Sequence, residues 1–210
     1  MYVPKHFALE AARGLSAIRD FPFALILTPG ADGGLPPFSQ APMMLDPDAD
    51  PARPALLGHV ARANGQARAF EAEGPAAAIF TGPNGYISPN WYPSKQAGAG
   101  VVPTWNYTAV QVVGRIRPIA DAAGKRRVVD LLSRAFEGEG PGAWRLDDEP
   151  EDFVRKMLGG ITAFALEVET VEAKAKLSQN RSADDRAGAI AGLRNAGAHA
   201  LADAMAAASD

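Results

Sequence analysis

The sequence predicts a mainly β domain with peripheral helices (α+β), an antiparallel barrel of the Greek-key kind, and three observations carry that reading. Predicted strands follow one another with few helical crossovers, which disfavours a parallel, doubly wound sheet. Trp105 to Ile119 (WNYTAVQVVGRIRPI) alternates in side-chain character along its length, as a long half-buried strand must. Amphipathic helical segments are few and do not separate every pair of strands.

From the N-terminus, residues 8 to 19 read as a short helix with Leu9, Ala12, Leu15 and Ile18 near one face. Phe21 to Thr28 is an apolar run closed by Pro29-Gly30 and by Asp32-Gly33-Gly34, a strand followed by a hairpin turn. Residues 36 to 45 (PPFSQAPMML) supply the partner strand, whose internal prolines suggest an edge or a bulge. Residues 46 to 54 are a Pro/Asp-rich loop, 55 to 62 a strand, 63 to 71 a short helix and 76 to 81 a buried strand. Residues 82 to 104, rich in Gly, Pro and aromatics, read as one ordered loop.

On the long strand, Tyr107, Ala109, Gln111, Val113, Arg115 and Arg117 share one face, and Asn106, Thr108, Val110, Val112, Gly114 and Ile116 the other. Asp121 caps a helix that runs to about Glu137, and Gly138 to Gly142 breaks it. Asp147-Asp148-Glu149-Pro150 opens another helix, with acids where the dipole favours them. Residues 160 to 171 alternate as a late strand, and Lys174 to Arg181 leave it as a polar, basic segment. Ser182 and Asp185 resemble a capping box for an Ala-rich helical tail, 183–207.

At 210 residues the chain is expected to be one domain, 1–210, whose core buries roughly 70% of the unfolded surface. It has no Cys, which removes disulfides and thiolate sites and suits a reducing compartment. Its three His (His6, His59, His199) lack metal-ligand spacing. The start MYVPKHFALEAARGL lacks the apolar stretch of a secretory signal, and no run reaches the roughly 20 apolar residues of a membrane span, so a cytoplasmic protein is expected. The net charge of −3 gives no basic footprint for DNA, and the last helix, despite Arg186 and Arg194, lacks the surface of a recognition helix.

Four segments have unusual side-chain content. In Gly58 to Asn64, Arg62 and Asn64 can hold an anion beside a helix start, although a satisfied interior His59 and a solvated Arg62 are the simpler reading of the spacing. Thr81 to Tyr92 offers Tyr86, Trp91 and Tyr92 as flat faces for a planar heterocycle, and reads equally well as a self-packed loop. Val102 to Tyr107 places Trp105, Asn106 and Tyr107 where they can meet a ring edge, or only pack at a strand start. Lys174 to Ser182 gathers Lys174, Lys176 and Arg181 with Ser178, Gln179 and Asn180, a composition suited to phosphate or to a solvated turn. No GxxxxGK[ST], GxGxxG, HExxH or GxSxG pattern is present.

Five collinear stretches resemble the PaiB family: MYVPKHF (1–7), GHVARANGQ (58–66), IFTGPNGYISPNWYPSK (79–95), VVPTWNY (101–107) and KLSQNRSADDRAGAI (176–190). The resemblance implies an FMN-binding split barrel, a homodimer with flavin at the subunit interface, and negative regulation of transcription of the sporulation and protease-gene type. It implies that the FMN phosphate meets either His59, Arg62 and Asn64 or the Lys176–Arg181 segment (Lys176, Ser178, Gln179, Asn180, Arg181). The isoalloxazine would lie near Trp91, Trp105, Asn106 and Tyr107. Relatives carry Ser/Thr-His-Leu-Pro after the second strand, whereas Phe38-Ser39-Gln40-Ala41-Pro42 has Gln40 where that His is expected. The competing functions are a flavin-dependent oxidoreductase of the flavin-reductase kind and a haem-handling split barrel, for which only His6 and His59 offer axial ligands.

Overall fold

The computed structural model describes residues 1–30 and 34–208; the predicted turn at Asp32-Gly33 lies outside the described residues. Seven strands are found among them: β1 (Ala8–Leu9), β2 (Phe23–Leu27), β3 (Phe38–Leu45), β4 (Ala55–Ala61), β5 (Gly74–Ile87), β6 (Thr104–Ile119) and β7 (Ile161–Lys176). They join in the order β1-β7-β4-β3-β2-β5-β6, and a further pairing of β7 with β6 closes six of them into a barrel, with β1 added outside the ring. The pairings of β1 with β7, β2 with β3 and β5, and β4 with β3 and β7 are all antiparallel. This is the antiparallel barrel that the strand order predicts. The helices are α1 (Ala11–Ala17), α2 (Ala67–Glu71), α3 (Pro93–Gln96), α4 (Ala122–Glu137), α5 (Glu151–Gly159), α6 (Ala183–Asn195) and α7 (His199–Ala207).

The chain divides into two compact units, to both of which β5, β6 and β7 contribute residues. The first comprises Leu15–Phe80 and Gln111–Val171. β2 buries alternate residues, Ala24 and Ile26 being fully enclosed, whereas β4 is covered on both faces, with Leu56 and Leu57 both buried. Phe70 of α2 meets Phe164 of β7 with ring centres 4.5 Å apart. On the sheet's other side α4 lays Val128 and Leu132 over Leu57 and Ala163. The Asp121 side chain caps α4 by accepting from the Gly124 N–H at 2.8 Å. β3 is not an edge strand. It pairs with β2 through Phe38–Pro42 and with β4 through Met43–Leu45, so Pro42 falls where one ladder hands over to the next and its missing N–H is tolerated.

The second unit comprises Met1–Gly14, Thr81–Val110 and Glu172–Asp210. Its core gathers Ile87, Tyr92, Leu177, Leu193, Leu201 and Met205. Several expectations are corrected here. Residues 8 and 9 form β1 against Lys174 and Ala173, and the helix starts only at Ala11. The segment 82–104 is not one loop. β5 runs on to Ile87, and a 3-10 turn (Pro89–Trp91) and α3 follow. β5 pairs with β2 only as far as Phe80, so Pro83 lies where β2 asks no N–H of it. β7 likewise continues through Lys176. Ser182 Oγ accepts from the Asp185 N–H at 3.2 Å, but the Asp185 carboxylate does not complete a capping box. It accepts instead from Ser94 N–H at 3.0 Å and Ser94 Oγ at 2.7 Å, tying α6 to α3. The tail 183–207 is two helices rather than one, broken beside Gly197, whose φ of 76° is left-handed.

Candidate functional site

The second unit brings most of the predicted residues together. β7 ends at Lys176, and its Nζ donates to Thr104 Oγ1 and, at 2.9 Å, to the Trp105 carbonyl. Burial lowers the Lys176 pKa, and the neighbouring cations Lys174 and Arg181 lower it further against an opposing pull from Tyr107. Lys174 is buried, donates to the Tyr2 carbonyl at 3.1 Å and lies 5.1 Å from the Tyr107 ring centre. Arg181 stands over the Tyr92 ring at 5.0 Å. Among the described residues none of these three cations has a carboxylate partner. An anion is the species that such a cluster lacks.

Beside the cations, Asn106 Nδ2 donates to Ser178 Oγ at 2.8 Å and contacts Met205 Sδ at 3.3 Å. Asn106 is fully buried, and its Oδ1 has no partner among the described residues. Ser178 holds a left-handed φ of 66°, a backbone that costs on the order of 1–3 kcal/mol outside glycine. Gln179 spends its amide on its own turn, accepting from Leu177 N–H at 2.8 Å and donating to the Ala175 carbonyl at 2.7 Å. Asn180 is exposed. Trp105 is 51% exposed, with its Nε1 donating to Asn84 Oδ1 at 3.3 Å. Trp91 is half-buried, its ring against Gly192 of α6, where an added Cβ would lie 2.2 Å from Cδ2.

His59, Arg62 and Asn64 belong to the first unit. His59 is largely buried on β4, its Nδ1 has no partner among the described residues, and burial lowers its pKa. Arg62 is exposed, with its Nη1 3.5 Å from the Gly159 carbonyl. Asn64 Oδ1 accepts from Ser39 Oγ at 3.1 Å and from the Gln66 N–H at 2.8 Å, which leaves its NH2 edge to be offered outward. A shallow groove beside it is lined by Pro37, Phe38, Ser39, Gln40, Asn64 and Gln66. Gln66, buried, fixes the groove by donating from Nε2 to Thr28 Oγ1 and the Pro37 carbonyl, both at 3.0 Å. Gln66 stands in the GHVARANGQ stretch, but its role as a buried tie is not visible in the sequence. Ser39 and Asn84, which orient their neighbours, carry no signal in the sequence, since a hydroxyl or amide that acts on another side chain leaves no spacing pattern.

The closed antiparallel barrel is that of the flavin-binding split-barrel proteins. The chain belongs to the family described as "Putative FMN-binding domain", whose model matches residues 1–170. It is 30% identical to the Bacillus subtilis "Protease synthase and sporulation protein PAI 2" over 93% of this chain and 90% of that one. Among solved structures it is similar to the FAD and heme binding protein of Mycobacterium smegmatis (TM-score 0.60, 20% identity, 86% of this chain and 78% of the other). It is also similar to the flavocytochrome Anf3 of Azotobacter vinelandii (TM-score 0.59, 17% identity, 83% and 72%). The cofactor of the family is FMN. The residues present fit it, since FMN carries a phosphate for the uncompensated cations and a flat ring for the exposed face of Trp105. Among the described residues no helix is long and apolar enough to cross a membrane, and no group of three or more His, Asp or Glu could hold a metal ion.

Proposed function

We propose that the chain, acting as one domain over 1–210, binds FMN through the phosphate at Lys176 and Arg181, with Ser178 and Asn180 beside them. The single observation behind this reading is the trio Lys174, Lys176 and Arg181, gathered at one strand end without a carboxylate partner. FMN, when bound, supplies hydride and electron transfer. The chain's own residues bind and orient it: Trp105 offers an exposed face for stacking, and the buried Asn106 positions Ser178 through its hydrogen bond. Arg62, Asn64 and His59 form the alternative phosphate site. Lys176→Ala and Arg62→Ala separate the two when FMN binding is followed by flavin absorbance and fluorescence. At least a tenfold loss, about 1.4 kcal/mol, is expected for Lys176→Ala. Loss confined to Arg62→Ala moves the phosphate to the β4 motif, and wild-type affinity in both variants removes the assignment.

The homodimer is supported by apolar surface on the first unit. Phe23 and Phe38 are 58% and 68% exposed, and both lie on the outward face of the β2–β3 pair, Phe38 opposite Leu27 in register. Phe23→Asp with Phe38→Asp should convert a dimer to a monomer in sedimentation. A wild-type protein that is already monomeric sinks the dimer.

A regulatory role is favoured by the similarity to the sporulation protein of Bacillus subtilis. The net charge of −3 points to action through another protein rather than by direct DNA contact. Sequence-specific retention of promoter DNA at moderate salt would overturn that. An oxidoreductase shares the binding step and differs in turnover, which NADH or NADPH oxidation by the flavin-loaded protein detects.

A further inference from the structure

A second cavity lies in the first unit, in a region to which neither the motifs nor the proposed flavin contacts extend. It holds about 350 Å³, within the range of small-ligand sites. Its floor is Leu15, Ile18 and Met43, all buried, and Met44, Leu45 and Phe136 form walls. Phe136 is 60% exposed, so apolar surface is left bare at the mouth. The two methionines give a lining that can adapt to a flexible chain.

The polar groups are confined to one side of the rim. Ser16 and Arg19 are three residues apart, where α1 passes into a 3-10 turn (Ile18–Asp20), and so lie on the same side of the helix. Both are exposed, and neither has a hydrogen-bond or ion-pair partner among the described residues. The lining contains no acidic side chain. A guanidinium beside a hydroxyl, above an apolar floor, matches a ligand with a carboxylate head and a saturated tail.

We propose that this cavity binds a medium-chain fatty carboxylate, with the tail against Leu15, Ile18 and Met43 and the head on Arg19 and Ser16. Charge complementarity at the rim commits the site to an anionic amphiphile rather than to a neutral one. Loss of each buried methylene should weaken binding roughly fourfold.

Sodium decanoate, titrated calorimetrically into the full chain below its micellar concentration, is the probe. Saturable binding at one site per chain is expected, with octanoate roughly sixteenfold weaker. Arg19→Gln should weaken decanoate at least tenfold. Ala135→Trp, which adds bulk at an exposed rim position, should abolish binding while circular dichroism and thermal midpoint stay at wild-type values. Absence of decanoate binding, equal affinity for decanol and decanoate, or wild-type binding by Ala135→Trp would each overturn the proposal. Competition between decanoate and FMN would also overturn it, by placing the amphiphile in the flavin site.

Discussion

Asn106 on β6 donates from Nδ2 to the hydroxyl of Ser178, 2.8 Å away, and Ser178 holds its left-handed backbone to receive it. Both residues are buried, at 0% and 3% exposure, so the bond is made where water cannot replace it. Strain of this kind persists only where surroundings over-determine it, and it concentrates at binding sites. Ser178→Ala should cost about 1–3 kcal/mol, by leaving the amide donor only its weaker contact with Met205 Sδ while keeping the strained φ. Ser178→Gly loses the same bond but relieves the φ, so its loss should be smaller. Urea denaturation of the pair checks the order, and a Ser178→Ala protein as stable as wild type would refute it.

FMN affinity should fall at alkaline pH because of Lys176. In the free protein its pKa is held below the ordinary 10.5 by burial first and by Lys174 and Arg181 second. A bound phosphate raises it again, so binding takes up a proton wherever the free lysine is neutral. The sign follows: affinity is level below the free pKa, then drops by up to tenfold per pH unit above it. Lys176→Arg, which does not titrate there, should flatten the profile. Parallel profiles for the two proteins would mean that the phosphate is not on Lys176.

The barrel was legible because it rests on patterns. The alternation of Trp105–Ile119 placed Asn106, Thr108, Val110 and Val112 together on one face, and that face is the buried one. Asp121 likewise caps its helix as the sequence implied. What stayed hidden depends on partners distant in sequence. Gly82, Pro83 and Gly85 look like loop residues, yet β5 runs through them to Ile87, beyond the end of its pairing with β2, with β6 as its other neighbour in the sheet. Asp185 looks like a capping acid, and only the fold reveals Ser94, 91 residues away, as its partner. At the candidate site the cation cluster was visible as composition. The placement of Trp91 against Gly192 was not, because no local pattern says which face of a loop tryptophan is covered.

His59 makes the fold sensitive to acid. Burial lowers its pKa below 6.5, and its Nδ1 has no partner to stabilise the imidazolium. The unfolded chain therefore binds a proton at a pH where the folded chain does not. Stability is full above the unfolded pKa and declines as pH falls from about 6.5 towards the folded value, by at most about 1.4 kcal/mol per unit. His59→Leu should remove this part of the slope. Urea denaturation of both proteins between neutral and mildly acidic pH measures it, and identical slopes would show that His59 is charged or exposed in the folded state.

Two glycines separate backbone crowding from side-chain crowding. A Cβ on Gly114 would lie 1.9 Å from the carbonyl oxygen of Glu167 on β7, an atom the sheet cannot move. A Cβ on Gly192 would lie 2.2 Å from the Trp91 ring, which can turn about its own side-chain bonds. Gly114→Ala should accordingly cost about 3 kcal/mol or more, since overpacking against fixed backbone exceeds the usual penalty. Gly192→Ala should cost less and shift the tryptophan fluorescence as Trp91 moves. The second variant also reads out the flavin site. If Trp91 is a stacking face, moving it weakens FMN binding in step with the spectral shift. If the exposed Trp105 carries the stacking alone, FMN affinity stays at the wild-type value while the fluorescence changes.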